Sequence, residues 1–100
     1  MAENLLLKAV KDSMRVTHTA LDDDFSAKIS SALDEMARVG IAIPETVDTS
    51  KDHLLVTGCE LYVKWLDNYE GRGEEHRRAF RQLRDSMAMS SEYKADEADV

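Results

Sequence analysis

Apolar side chains recur three and four positions apart through four stretches of the chain, the spacing that gathers them on one side of an α-helix. In the first stretch, predicted to be helical from about Glu3 to Met14, Leu6, Leu7, Val10 and Met14 share a face opposite Lys8 and Lys11. The following Arg15 to Leu21 is rich in Thr and has no period, so it reads as a connection. A second helix is predicted from about Asp23 to Val39. Phe25, Ile29, Ala32, Leu33 and Met36 make its apolar face, and Lys28, Ser31, Asp34, Glu35 and Arg38 face water. Asp22, Asp23 and Asp24 stand at its start, where carboxylates accept hydrogen bonds from free N–H groups and meet the positive end of the helix dipole. Adjacent aspartates lack the spacing of a calcium loop, so capping is their expected role. Gly40 closes the helix as a residue free to turn left-handed. The longest connection follows, with Pro44 holding Ile43 extended. Ile41 and Ile43 are expected either to anchor it to the body or to present a sticky strand to another chain.

The third predicted helix, about Lys51 to Tyr69, is the most apolar. Leu54, Leu55, Gly58, Cys59, Leu61, Tyr62, Trp65, Leu66 and Tyr69 cover about half its circumference, and Val56 and Val63 sit beyond that arc. Such a helix is either the centre of the domain or shared with a partner subunit. Trp65 is expected to be largely buried among Phe25, Leu33, Leu61 and Phe80. Gly71-Arg72-Gly73 breaks the chain before a fourth helix, about Glu74 to Ser90. Its buried stripe is Ala79, Phe80, Leu83 and Met87. Arg77, Arg81 and Arg84 line the opposite face, with Arg78 beside them. Residues 91–100 carry four acidic groups and one Lys and read as a flexible acidic tail. The expectation is a small all-α four-helix bundle over residues 1–90, followed by that tail.

Composition narrows the function. A 100-residue chain holds one modest core, and one Pro and four Gly argue against a many-stranded sheet fold. The net charge of −7 is spread over both halves, 5 basic against 9 acidic groups in residues 1–50 and 8 against 11 in residues 51–100. Neither half has the basic surplus that drives nucleic-acid binding. A lone Cys59 excludes an internal disulfide, and its place on an apolar helix suits a small buried hydrophobe rather than a nucleophile. His18, His53 and His76 lie in separate segments without a metal-binding spacing. There is no phosphate loop, so no enzyme, cofactor or metal site is expected. No apolar run approaches the roughly 20 residues of a membrane span, and the N-terminus lacks the basic start of a signal peptide. The chain is expected to be soluble and intracellular. The arginine stripe has two readings: a solvated face with local pairs to Glu74 and Asp85, or an electrostatic contact with an acidic neighbour or passing phosphates.

Several stretches, taken in order, resemble one family, the head–tail connector or DNA-packaging adaptor proteins of tailed bacteriophages and prophages. They are Lys11-Asp12-Ser13-Met14-Arg15-Val16-Thr17-His18-Thr19 with Leu21-Asp22-Asp23-Asp24-Phe25, then Ile29 to Met36 with Gly40-Ile41. Leu61-Tyr62-Val63-Lys64 leading to Asn68-Tyr69, and Phe80 to Met87 with Met89-Ser90-Ser91-Glu92-Tyr93, complete the series. The resemblance covers residues 5–93, and its motifs are packing and capping patterns rather than catalytic ones. It implies a structural subunit of a homo-oligomeric ring beneath the portal at the head–tail junction of the virion, formed from subunits in the host cytoplasm. Its partners would be the portal protein and the next connector, head-completion or tail protein, with DNA only as cargo in the channel and no membrane. Candidate contacts are Arg77, Arg81 and Arg84 on one surface, Asp22, Asp23 and Asp24 on the other, and Ile41 and Ile43. The alternatives are a small helix-turn-helix regulator with the arginine helix in the groove, and a helical adaptor or inhibitor of a host protein.

Overall fold

The computed structural model describes residues 2–44 and 47–90, with side chains from Leu5 onward. It contains four helices, α1 (Ala2–Ser13), α2 (Asp22–Arg38), α3 (His53–Leu66) and α4 (Gly73–Met89), with a short 3₁₀ turn at Tyr69–Gly71. There is no strand among the described residues. The all-α expectation holds. The expected tail, 91–100, lies outside the described residues.

The C-terminus of α2 shows how local chemistry stops a helix. Gly40 adopts φ +97°. Its N–H donates to the Ala37 carbonyl, and the Ile41 N–H donates to the Met36 carbonyl at 3.1 Å. Together these are the two bonds of a Schellman motif. The motif brings the residue after the glycine back over the last turn, and Ile41 and Met36 are both buried there. Ile41 therefore anchors the long connection to the body. Ile43, half-buried, also packs against the core. The apolar-strand alternative for these two residues is set aside, because the helix stop itself points Ile41 inward.

Three sequence expectations change. The aspartates at the start of α2 do not cap it: the residue at the cap position is Leu21, and no side chain bonds the free N–H groups. The aspartates occupy the first turn instead, where only the dipole acts on them, and two are drawn into ion pairs. The third helix ends at Leu66, earlier than the apolar run suggests, because Asn68 turns left-handed (φ 48°, ψ 48°). Asn tolerates that conformation better than most residues. Its Oδ1 then accepts the backbone N–H of Gly73 at 2.8 Å, opening α4. A Cβ on Gly73 would lie 2.7 Å from that oxygen and 3.1 Å from the Trp65 carbonyl, so this glycine is needed for a close approach.

The third change concerns which side of α3 is inside. Leu55, Gly58, Cys59 and Val63 are its buried residues. Val63, placed beyond the apolar arc by sequence, is fully buried, whereas Leu54 and Leu66 are exposed. Trp65 is only half-buried. It packs at the α3–α4 seam, edge-to-face with Tyr62 at 5.4 Å and tilted against Phe80 at 6.2 Å. A helix apolar nearly all round does not fix its own rotation; its neighbours do. Here α3 touches α1, α2 and α4, which makes it the centre of the domain. Gly58 lets α2 approach closely, since a Cβ there would meet the Met36 sulfur at 3.0 Å.

Candidate functional site

The candidate contact surfaces are charged, so what matters is which charges the fold has already used. On α4, Arg77 donates to Glu74 at 2.7 Å, and Arg78 lies 3.7 Å from the same carboxylate. Arg84 pairs with Asp85 at 3.0 Å and crosses to Glu35 of α2 at 3.1 Å. Its side chain is only 17% exposed. Arg84 thus faces the neighbouring helix rather than completing an outward stripe. Glu35 also binds Arg38 at 2.5 Å. The Arg38 hydrogen bond holds the Glu35 carboxyl below its ordinary pKa against the opposing effect of burial, and Arg84 adds to the shift. The local pairs Glu74–Arg77 and Arg84–Asp85 are those the solvated-face reading expects. Arg81 is exposed and forms no ion pair among the described residues.

The acidic surface is spent in a similar way. Asp22 receives Lys11 of α1 at 2.6 Å, with Lys11 only 13% exposed. Asp24 receives Lys28 at 2.7 Å, and Lys28 also binds Asp67 just after α3. Burial acts to lower the Lys28 pKa, but its hydrogen bonds to the Asp24 and Asp67 carboxylates outweigh it and hold the group above its ordinary value. Asp23 remains exposed and outside these pairs. Among the described residues Arg81 on one side and Asp23 on the other stay outside any ion pair; Arg77 and Arg78 share Glu74 and Asp24 holds Lys28 within their own helices, and Arg84 and Asp22 are tied to neighbouring helices. The cross-helix pairs Lys28–Asp67 and Arg84–Glu35 were missed by sequence reasoning, since partners 39 and 49 positions apart leave no local spacing.

Other chemistry is sparse. Cys59 is completely buried, and burial, with Glu60 adjacent, pushes its thiol up to about 12, so it stays protonated. Among the described residues no three His, Cys, Asp or Glu side chains gather to hold a metal. His18 and His53 are exposed, and only His76 is half-buried. An open groove of about 490 Å³ lies where α1 meets α2, bordered by Leu7, Val16, Thr17 and the pairs Lys8–Asp12 and Lys11–Asp22. Both lysines are already neutralised, so it has no spare charge for an ionic ligand. No helix is long and apolar enough to cross a membrane among the described residues. Compared with protein-family models, curated proteins and solved structures, the chain matches none.

Proposed function

We propose that this chain is a structural subunit of a head–tail connector ring of a tailed bacteriophage or prophage, docking beneath the portal and extending the DNA channel. The observation that carries the reading is the ordered series of connector-like motifs over residues 5–93, set on an all-α domain. Among the apolar positions of these motifs Phe25, Ile29, Met36, Val63, Phe80 and Met87 are buried, whereas Leu21 and Met89 are exposed. The net charge of −7 fits a wall around DNA better than a DNA-binding surface, because like charge disfavours tight phosphate contact. The chain has no catalytic part in this role. In a ring, neighbours meet head to tail, so two different surfaces must be complementary. The unpaired Arg81 with Arg77 and Arg78 forms one, and the α2 start around Asp23 the other.

The test is assembly on purified portal protein, read by electron microscopy and mass measurement at low and high salt. The expected result is a ring of this protein on the portal that loosens as salt rises, since exposed pairs are screened within about 8–10 Å at physiological ionic strength. A chain that ignores portal but shifts duplex DNA in a salt-sensitive manner belongs to the regulator class instead.

A further inference from the structure

Among the described residues one buried side-chain polar atom has no hydrogen-bond partner, and it sits in the corner joining α3 to α4. His76 lies in the first turns of α4, its ring 6.4 Å from that of Tyr69 and tilted by 49°. Its Nε2 is shielded from solvent and has no hydrogen-bond partner among the described residues. A neutral imidazole carries one N–H and one acceptor nitrogen, whereas the protonated ring has two donors, both of which need acceptors. At Nε2 none is in reach.

The charged groups around it oppose protonation on balance. Burial is the largest influence keeping the ring neutral. Lys64 of α3 and Arg72 of the corner act in the same direction, while Glu75 on its own helix and Glu70 of the corner act against them. Lys64 is held nearby by its position 5.6 Å above the Tyr69 ring. The corner also contains three residues with positive φ, Asn68, Glu70 and Gly71, two of which carry side chains. Such backbone persists only where its surroundings enforce it. Hydrogen bonds close the corner: Gly71 N–H to the Asn68 carbonyl at 2.9 Å, Arg72 N–H to the Tyr69 carbonyl at 3.0 Å, and Gly73 N–H to Asn68 Oδ1.

We infer that His76 is a proton-operated latch: its neutral ring, packed beside Tyr69, helps to hold the hydrogen-bonded α3–α4 corner, and protonation in mild acid, which puts a second donor where no acceptor lies, opens that corner before the rest of the fold yields. The sign follows from linkage. A histidine whose pKa is lower folded than unfolded stabilises the closed form above its ordinary value. That contribution falls as pH drops through the ordinary value toward the folded one. The inference stands on the described corner alone and does not rest on the connector reading.

The experiment is a proton NMR titration of the intact chain between about pH 7.5 and about pH 5.5, the range in which histidine changes charge. Amide-exchange protection is followed in parallel, corrected for the intrinsic pH dependence of exchange. The expected result is that His76 titrates below the ordinary histidine value and that protection at 68–76 falls on acidification while α1 and α2 keep theirs. Lys64→Gln should move the His76 titration upward, a shift that a purely space-filling ring would not show. His76→Phe should abolish the acid-induced loss at 68–76. Titration of His76 at or above the ordinary histidine value, or equal acid loss in His76→Phe, overturns the inference. If His76→Phe does not fold, the acid-induced change in protection at 68–76 in the parent and in Lys64→Gln decides the matter.

Discussion

The two helix ends that bracket the middle of the chain are built from different materials. At the end of α2 the stop is local and apolar: Gly40 turns left-handed, two backbone bonds close, and Ile41 seals against Met36. At the α3–α4 corner the stop is polar: Asn68 turns left-handed, its side chain binds the Gly73 N–H, and Gly73 must lack a Cβ. The first device can be read along the sequence, because a glycine followed by an apolar residue at the end of an apolar period is a short-range signal. The second cannot, since what matters is that Asn68, Trp65 and Gly73 converge in space. Apolar stops tie a helix end to the core, whereas polar stops tie two segments to each other.

The comparison can be broken at either end. The largest effect is expected at the apolar stop, where Ile41→Ala should cost about 3 kcal/mol by chemical denaturation, as for other buried large-to-small changes. Next comes Gly73→Ala, which drives a Cβ into Asn68 Oδ1 and should cost about 2 kcal/mol. Asn68→Gly keeps the left-handed turn and removes the obstructing oxygen. A double mutant should therefore show a coupling of about 1 kcal/mol, and strict additivity would mean that the two residues do not meet. Gly40→Ala should cost about 1 kcal/mol, since nothing crowds the site and only the positive φ is penalised. The smallest effect belongs to the surface: Arg81→Glu should leave the melting temperature nearly unchanged while weakening ring formation on the portal. Full assembly by the Arg81→Glu protein would remove α4 from the proposed contact.

How much of this was legible follows the same division. The four helices, the buried stripe Phe25, Ile29, Ala32 and Met36, and the Gly40 stop follow from spacing and local conformational preference. The rotation of α3 does not, because Leu54, Leu61, Val63 and Trp65 are comparable by hydropathy alone. Only the packing of α1, α2 and α4 around α3 decides which are covered, and Val63 is fully buried. Trp65→Ala should accordingly cost about 2 kcal/mol, less than a core tryptophan, and a loss near 4 kcal/mol would show that the ring is fully enclosed. For the candidate contacts, sequence identified the charges but not their use. Arg84, Asp22 and Asp24 look as free as Arg81 and Asp23 until α2, α1 and Lys28 are placed beside them.

The central position of α3 also constrains how the chain can be made. As translation proceeds from the N-terminus, α1 and α2 emerge with Leu6, Val10, Phe25 and Ile29 uncovered on the sides that α3 will later help to close. Until residue 66 has cleared the ribosome α1 and α2 have only each other to pack against, so apolar surface of the first half stays uncovered. A cut in the connection between residues 41 and 52 would have a related effect, separating α1 and α2 from the helix that organises them.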